Sequence, residues 1–157
     1  MSNSFVSKYQ NELIACIDNA VVEDLGKQGD HTSKAVFPKD LVSKAQLIAK
    51  GDGVLAGVAF CEFVLQRHGQ VVSLSPVVAD GATFSEGALL FYLEGDTQTI
   101  LSLERLMLNA VQRMSGIASL TSKVQERIGH TNCKVLDTRK TTPNFRIAEK
   151  WVGAIGG

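Results

Sequence analysis

The stretch KVLDTRKTTPNFR, residues 134–146, joins a short apolar run to a cluster of basic and hydroxyl side chains. Residues 134–136 are predicted to form a buried strand, which runs directly into the pair Arg139 and Lys140. A proline then suits the start of a helix over 144–151. A strand, a polar loop and a helix in this order form one βα unit, so the stretch predicts the beginning of a parallel β/α structure.

The basic pair follows the strand at the position where β/α proteins carry their functional groups. The candidate binding residues are Thr138, Arg139 and Lys140. Arginine offers a planar fork that binds carboxylate or phosphate through two hydrogen bonds, and lysine adds a compact charge. With the neighbouring threonines as donors, they suit a small ligand with several negative charges. A solvated turn with two ordinary charges fits the same pattern, and the residues alone leave both interpretations open.

Composition limits the class of protein. The chain has 157 residues, of which 45% are hydrophobic and 20% charged, as in a globular domain rather than a disordered chain. Its 16 basic residues balance 16 acidic ones, so no basic field would attract a phosphate backbone, and we expect no nucleic-acid partner. Apolar runs such as 54–60 are far shorter than the ~20 residues of a membrane span, so we expect no membrane partner either.

The cysteines indicate the redox environment. Cys16, Cys61 and Cys133 are odd in number, widely spaced and placed in apolar segments. They predict reduced, partly buried thiols and a cytoplasmic location. No CxxC or HxxxH spacing supports a zinc site.

The chain before the basic cluster alternates helical and strand-like patterns. The predicted elements are a helix over 4–22, a loop over 23–33, a strand over 44–50, a glycine-rich bend over 51–57, a helix that ends at 67–69, two antiparallel strands over 71–78 and 88–95 joined through Asp80–Gly81, and a long helix over 98–129, capped by Thr97 or Thr99 and interrupted near Ser115–Gly116. We therefore predict an N-terminal α/β domain over 1–115 and the start of a β/α domain over 116–157. No capping element follows the final GAIGG, so we expect the chain to be truncated within a larger fold.

Two glycine patterns imitate known cofactor modules. Gly51, Gly53 and Ala56 have the spacing of a dinucleotide-binding turn, but the next strand ends in Ser75–Pro76 instead of an acidic ribose ligand. Residues 80–96 have the turn rhythm of biotinyl or lipoyl carrier hairpins, but this segment contains no lysine. We interpret both as structural turns.

The long helix has two stripes of side chains at helical spacing. The apolar stripe contains Leu103, Met107, Ala110, Met114, Ile117 and Val124, and the polar stripe contains Arg105, Asn109, Gln112, Gly116, Ser119 and Lys123. A polar stripe is usually a solvated face. This one consists of short hydrogen-bonding groups rather than alternating charges, which is typical of a face lining a polar cleft.

Several motifs together resemble one family. DTRKTTP is followed by R…EK…GG and preceded by ER…LN…SGIAS, while EDLG…GDHTS (23–33) and GVLAG (53–57) come earlier in the same order. The combination resembles the quinolinate phosphoribosyltransferases, the carboxylating nicotinate-nucleotide pyrophosphorylases of NAD biosynthesis. The resemblance covers nearly the whole chain.

The resemblance implies a fold and an assembly. The fold is α+β and α/β: an N-terminal open-faced α/β sandwich with an antiparallel sheet, followed by the first β/α elements of an incomplete TIM-like barrel. The family forms homodimers in which the N-terminal domain of one subunit covers the barrel mouth of the other. Arg105 matches the arginine that reaches the partner's site, and Thr138, Arg139 and Lys140 match the segment that binds quinolinate beside phosphoribosyl pyrophosphate.

The implied reaction transfers phosphoribosyl to quinolinate and removes one carboxylate, giving nicotinate mononucleotide, CO2 and pyrophosphate. Magnesium is the implied cofactor, with ligands expected beyond residue 157, and no catalytic residue is assigned within the chain. The family's Pro-Gly-Leu-Arg reads Pro-Asn-Phe-Arg at 143–146, and its Tyr-Ala-Val reads Trp-Val-Gly at 151–153. The chain stops before the family's His-Arg pair, so we expect it to be inactive alone.

Two other functions remain open. The first is a relative of the same fold that acts on another acid, as in the molybdenum-transport-associated members. The second is a non-catalytic fragment that serves in dimerisation or binding.

Overall fold

The computed structural model describes residue 5 and residues 7–156, with the side chains of residues 154 and 156 excepted. Its elements alternate between helices and short strands. They are α1 (Gln10–Leu25), α2 (His31–Val36), β1 (Val42–Ile48), β2 (Gly53–Val54), α3 (Val58–His68), β3 (Val72–Pro76), β4 (Thr83–Phe84), β5 (Leu89–Asp96), α4 (Thr97–Ile128) and α5 (Arg146–Gly156).

An antiparallel sheet with strand order β1-β5-β3 forms the N-terminal part. The predicted antiparallel pairing of residues 71–78 with 88–95 is confirmed. The segment between them was predicted as a simple connection, but it contains β4, which pairs with β2 in a second small sheet. Close strand packing requires glycine at 95, since a Cβ there would lie 2.2 Å from the carbonyl oxygen of Val71.

The core lies between one face of the main sheet and the helices α3 and α4. Its fully buried side chains include Leu55, Phe60, Val64 and Met114. The opposite face of the sheet is exposed and partly charged, with Lys44 paired to Glu94 across β1 and β5. A sheet covered by helices on one face only confirms the mixed α/β fold with an antiparallel sheet.

The long helix α4 differs from its prediction at two points. It continues without interruption through Ser115 and Gly116. Its cap is Asp96, whose carboxylate accepts hydrogen bonds from the backbone and hydroxyl of Thr99, at 2.7 and 2.6 Å. The predicted cap at Thr97 or Thr99 was wrong, because the carboxylate of Asp96, directly before the helix, accepts the capping hydrogen bond.

The small residues of α4 hold the glycine-rich bend. Ser115 Oγ accepts from the backbone of Ala56 at 3.0 Å and donates to its carbonyl at 3.1 Å. Ser119 Oγ accepts from the backbone of Val54 at 2.8 Å, and a Cβ at Gly53 would lie 2.7 Å from that oxygen. The glycines therefore allow close contact between the bend and α4, which supports their interpretation as a structural turn.

The predicted strand over 134–136 is wrong. These residues have no regular secondary structure, and the side chain of Leu136 is 86% exposed. Among the described residues no strand follows β5, so this segment has no neighbour whose backbone could complete a ladder. An apolar run adopts strand structure only where a second strand accepts and donates its hydrogen bonds.

Smaller differences concern boundaries and burial. Helix α1 extends three residues past its predicted end, and the predicted loop over 23–33 gives way to α2, which is capped by Asp30. The predicted helix start at residue 4 lies outside the described residues. Cys16 and Cys61 are buried and free as expected, whereas Cys133 is exposed.

The last helix begins later than predicted, at Arg146. Asn144 in the preceding turn has φ of 63°, in the left-handed region that glycine and asparagine favour. Asparagine therefore stands where the family has glycine and adopts a positive φ itself. In the part of the chain that the structure describes, no helix combines the length and apolar character needed to cross a bilayer.

Candidate functional site

The segment 137–142, which we call the basic loop, is held by the helix that follows it. Arg146 Nε donates to Thr141 Oγ1 at 2.8 Å, and its Nη2 donates to the carbonyl of residue 139 at 3.2 Å. Glu149 accepts from the backbone of Thr142 at 3.4 Å. One turn of α5 thus faces the basic loop, because residues at i and i+3 lie on the same side of a helix.

A fourth contact fixes the start of the basic loop. Lys150 Nζ donates to Asp137 Oδ2 in a half-exposed ion pair. The hydroxyl of Thr138 accepts from the backbone of Lys140 at 3.2 Å. The backbone of the basic loop therefore has hydrogen-bond partners at both ends and within itself.

The side chains at the centre of the basic loop remain available. Thr138, Arg139 and Lys140 are all exposed. Within the described part of the chain, neither of the two cations pairs with a carboxylate within 4 Å. Because no carboxylate among these residues pairs with the two adjacent cations, both are available to bind an external anion.

Thr138 lines a cavity of about 550 Å³ between the basic loop, α4 and α5. Its polar lining comes from Thr138, Thr141, Arg113, Glu149 and Lys150, among others. The volume lies in the range of small-molecule sites. Of the three predicted binding residues, Thr138 faces this cavity, while Arg139 and Lys140 are not part of its lining.

Arg105 lies in a different place. It lines a cavity of about 470 Å³ together with Asn109 and Arg113 from α4 and with the turn at 142–145. Its guanidinium forms an ion pair with Asp24, and the hydrogen bond to that carboxylate raises the pKa of Arg105. The side chain of Arg105 is 71% exposed and that of Asp24 is 21% exposed.

The structure therefore brings Thr138, Arg139 and Lys140 together on the basic loop and places Arg105 at a separate cavity. The polar stripe on α4 does not form one surface. Arg105 and Asn109 line the second cavity, whereas Ser119 contacts the glycine-rich bend.

Three residues of this region were missed by the sequence analysis: Asp24, Arg113 and Glu149. Arg113 follows Arg105 and Asn109 at four-residue steps, and this spacing was the signal that could have found it. Glu149 was visible only as one letter of the R…EK motif. Its hydrogen-bond partners, Arg113 and Thr142, lie 36 and 7 positions away in the chain, and sequence spacing alone does not reveal such contacts.

Glu149 is the most buried acid of this region, with a side chain only 10% exposed. Burial acts to raise the pKa of Glu149, but hydrogen bonds from Arg113 and Thr142 outweigh burial and lower the pKa below its usual value. The carboxylate is therefore charged at neutral pH.

The described residues contain no group of three or more His, Cys, Asp or Glu side chains that could hold a metal ion. Magnesium is commonly bound through one or two carboxylates together with substrate phosphates and waters. The single carboxylate of the basic loop, Asp137, is paired with Lys150, so the loop offers no free carboxylate to this ion.

Comparison with known families identifies this arrangement. The family model for the N-terminal domain of quinolinate phosphoribosyl transferase matches residues 30–115, and the model for its C-terminal domain matches residues 117–157. The chain belongs to the quinolinate phosphoribosyl transferase family. Helix α4 runs unbroken across the junction of the two matches, and our division at residues 115 and 116 stays a prediction.

Curated relatives in the quinolinate phosphoribosyl transferase family match most of this chain. Quinolinate phosphoribosyltransferase [decarboxylating] 1b of Nicotiana tabacum is 38% identical over 93% of the chain and 41% of the relative. A probable nicotinate-nucleotide pyrophosphorylase [carboxylating] of Archaeoglobus fulgidus is 43% identical over 82% of the chain and 48% of the relative. The chain thus spans less than half the length of these relatives.

Solved structures in the quinolinate phosphoribosyl transferase family have the same fold over this region. The nicotinate-nucleotide pyrophosphorylase of Francisella tularensis superposes with a TM-score of 0.85 at 30% identity, over 94% of this chain and 51% of that protein. NadC of Streptococcus pyogenes gives 0.85 at 34% identity, over 97% and 52%.

Proposed function

We propose that this chain supplies an anion-binding part of a quinolinate phosphoribosyltransferase. The reaction is phosphoribosyl transfer from phosphoribosyl pyrophosphate to quinolinate with decarboxylation, which yields nicotinate mononucleotide, CO2 and pyrophosphate in NAD biosynthesis. The observation that carries the proposal is the adjacent pair Arg139 and Lys140, without carboxylate partners among the described residues and mounted on a loop fixed from α5.

The two carboxylates of quinolinate give these cations their role. Arg139 binds one carboxylate through its planar fork, and Lys140 balances the charge of the other carboxylate or of a phosphate. Each hydrogen bond to a charged group contributes about 1.5–3 kcal/mol. Thr138 adds a hydroxyl at the edge of the cavity beside the basic loop.

Arg105 serves the site of a second subunit in this proposal. Its exposure and its position at a separate cavity support a role outside its own basic loop. A homodimer that places Arg105 opposite Arg139 of the other copy would enclose a dicarboxylate between two guanidinium groups.

The chemistry follows from the substrates. The pyridine nitrogen forms a bond to C1 of the ribose, and the bond from C1 to pyrophosphate breaks with its electron pair on the pyrophosphate. The ring nitrogen is then cationic. The bond to the 2-carboxylate breaks to release CO2, its electron pair stays on ring carbon C2 beside the cationic nitrogen, and a proton from solvent completes the product.

Magnesium is part of the proposal as the family's cofactor, where it would neutralise the leaving pyrophosphate. Because the basic loop offers no free carboxylate, the magnesium ligands are proposed to lie beyond residue 157, as the resemblance implies.

The proposal also covers the barrel fold, the cellular location and the partners. The exposed apolar side chains of Val135 and Leu136 suit a barrel strand that pairs with further strands of a TIM-like barrel. Free cysteines support a cytoplasmic location, although relatives in plants are named chloroplastic or mitochondrial. The balanced charge supports small-molecule substrates rather than nucleic acid or membrane.

Isothermal titration of the 157-residue chain with quinolinate and with nicotinate tests the proposal. We expect quinolinate to bind at least tenfold more tightly, because nicotinate lacks one of the two carboxylates. Heat from neither compound would favour a non-catalytic dimerisation or binding fragment. Tighter binding of a different acid would favour a relative of the same fold with another substrate.

Product analysis with phosphoribosyl pyrophosphate gives a second test. We expect no turnover by the 157-residue chain, because it spans less than half the length of its curated relatives. Measurable nicotinate mononucleotide would contradict this expectation.

A further inference from the structure

Arg113 connects three elements of the candidate site. Its Nη2 donates to Glu149 Oε1 at 2.8 Å and to Thr142 Oγ1 at 2.7 Å, and its Nε donates to the same Glu149 oxygen at 3.2 Å. One guanidinium thus joins α4 to α5 and to the end of the basic loop. The planar fork of arginine holds both partners in a fixed geometry, whereas the lysine ammonium is a compact point charge on a flexible stem.

Glu149 completes the network from the other side. Its second oxygen accepts from the backbone of Thr142 at 3.4 Å, so Thr142 is held through both its hydroxyl and its amide. The Glu149 side chain is only 10% exposed, and such a carboxylate is stable when its charge is paired and hydrogen-bonded. Thr142 lies two residues after Lys140, so the network fixes the backbone next to the basic pair.

The charge balance separates Arg113 from the binding residues. The charge of Arg113 is neutralised by Glu149, whereas no carboxylate among the described residues lies within 4 Å of Arg139 or Lys140. Arg113 nevertheless borders both the cavity at Thr138 and the cavity at Arg105. This position suits a residue that orients the binding groups rather than one that binds the anion.

We propose that Arg113 is a positioning residue that acts through Glu149 and Thr142 to fix the basic loop, so that Arg139 and Lys140 are held ready for a dicarboxylate ligand. The identity of the ligand rests on the function proposed above, while the anchoring of the loop does not. Arg105 and Arg113 lie eight residues apart on α4. The same helix therefore also fixes the distance between the basic loop and Arg105, the residue proposed to reach a second subunit.

The substitutions Arg113→Lys and Glu149→Gln test this role in the 157-residue chain. Arg127→Lys is the matched control, because Arg127 is an exposed arginine near the end of the same helix. Three quantities are measured for each: amide hydrogen exchange of residues 138–142 by NMR, the dissociation constant for quinolinate, and the melting temperature.

We expect Arg113→Lys to increase exchange at the amides of Lys140 and Thr142 at least tenfold and to weaken quinolinate binding at least fivefold. Glu149→Gln should also increase amide exchange and weaken quinolinate binding. The melting temperature of Arg113→Lys should stay within a few degrees of the unsubstituted chain, as should that of the control. Loss of loop protection without global unfolding would support local anchoring.

Two results would overturn the proposal. Unchanged exchange in both variants would show that the network does not fix the loop, and faster exchange with unchanged quinolinate affinity would limit Arg113 to a structural role. If the unsubstituted chain binds no quinolinate, the proposed function fails for this chain, and the exchange comparison still decides whether Arg113 anchors the loop. The charge exchange Arg113→Glu with Glu149→Arg, if it restores slow exchange, would confirm the pairing.

Discussion

Arg105 and Arg113 of α4 differ in their electrostatic environment from the cations of the basic loop. Arg105 pairs with Asp24 and Arg113 pairs with Glu149, whereas Arg139 and Lys140 have no carboxylate within 4 Å among the described residues. A paired guanidinium is fixed in direction, and the carboxylate beside it compensates much of its positive field. An unpaired cation has no such compensation and is available to a ligand. In this site the guanidinium groups on the helix are oriented by carboxylate partners, whereas the cations on the loop remain available to bind an anion.

The largest expected effect comes from removing charge from the basic loop. Arg139→Ala should weaken quinolinate binding at least tenfold, and in a complete enzyme it should lower kcat/KM by at least the same factor, because a hydrogen bond to a charged group contributes about 1.5–3 kcal/mol. Titration calorimetry measures the change. The control is Lys134→Ala, which removes an exposed cation from the same segment. Equal losses in the two variants would remove Arg139 from the site.

The second prediction concerns stability and compares the two paired arginines. Arg113→Ala leaves the mostly buried Glu149 carboxylate without its main partner and should lower the free energy of unfolding by about 1–3 kcal/mol. Arg105→Ala should lower it by less than about 1 kcal/mol, because that pair is more exposed. Urea denaturation measures both. A larger loss of unfolding free energy for Arg105→Ala than for Arg113→Ala would contradict this prediction.

A paired arginine outside the site supplies the third prediction. Arg67 binds Asp18 through two contacts of 2.6 Å, and these hydrogen bonds lower the pKa of Asp18 to about 2. Since the folded pKa lies below the usual value, the stabilisation is complete above about pH 4 and is lost as pH falls towards 2. Partial exposure limits the effect to about 0.5–1 kcal/mol.

Urea denaturation of Asp18→Asn at pH 7 and pH 2.5 tests this third prediction. The variant should be less stable than the unsubstituted chain at pH 7 and should differ little from it at pH 2.5. A difference that stays constant with pH would contradict the ionic origin of the contact.

The smallest expected effect is that of Asp24→Asn. It removes the charge that orients Arg105 and should change the free energy of unfolding by about 0.5 kcal/mol or less, because the arginine is exposed. Urea denaturation measures the change. A loss of more than about 1 kcal/mol would contradict the weak contribution expected of an exposed pair.

Local patterns predicted the parts of the fold that depend on neighbours in sequence. Period-2 patterning identified β1, β3 and β5, and helical spacing identified α3 and α4. The DTRKTTP motif carried the family because residue types at fixed spacing are visible without any structure. The helix cap at Asp96 was missed, as element boundaries are set by single hydrogen bonds.

Non-local contacts explain the rest. The predicted strand over 134–136 failed because a strand depends on a partner strand. The predicted break in α4 failed because the helix continues through Ser115 and Gly116, and the Ser115 hydroxyl binds the backbone of the glycine-rich bend. The polar stripe was predicted as one cleft face, but its members contact different elements.

The sequence alone determined the family, the strands β1, β3 and β5, the long helix α4, and the placement of Arg139 and Lys140 beside each other. These properties follow from local residue types and spacing. Only the tertiary structure decided which cations have a carboxylate partner. The partners of Arg105 and Arg113 lie 81 and 36 residues away in the chain, and such pairings depend on how the helices pack.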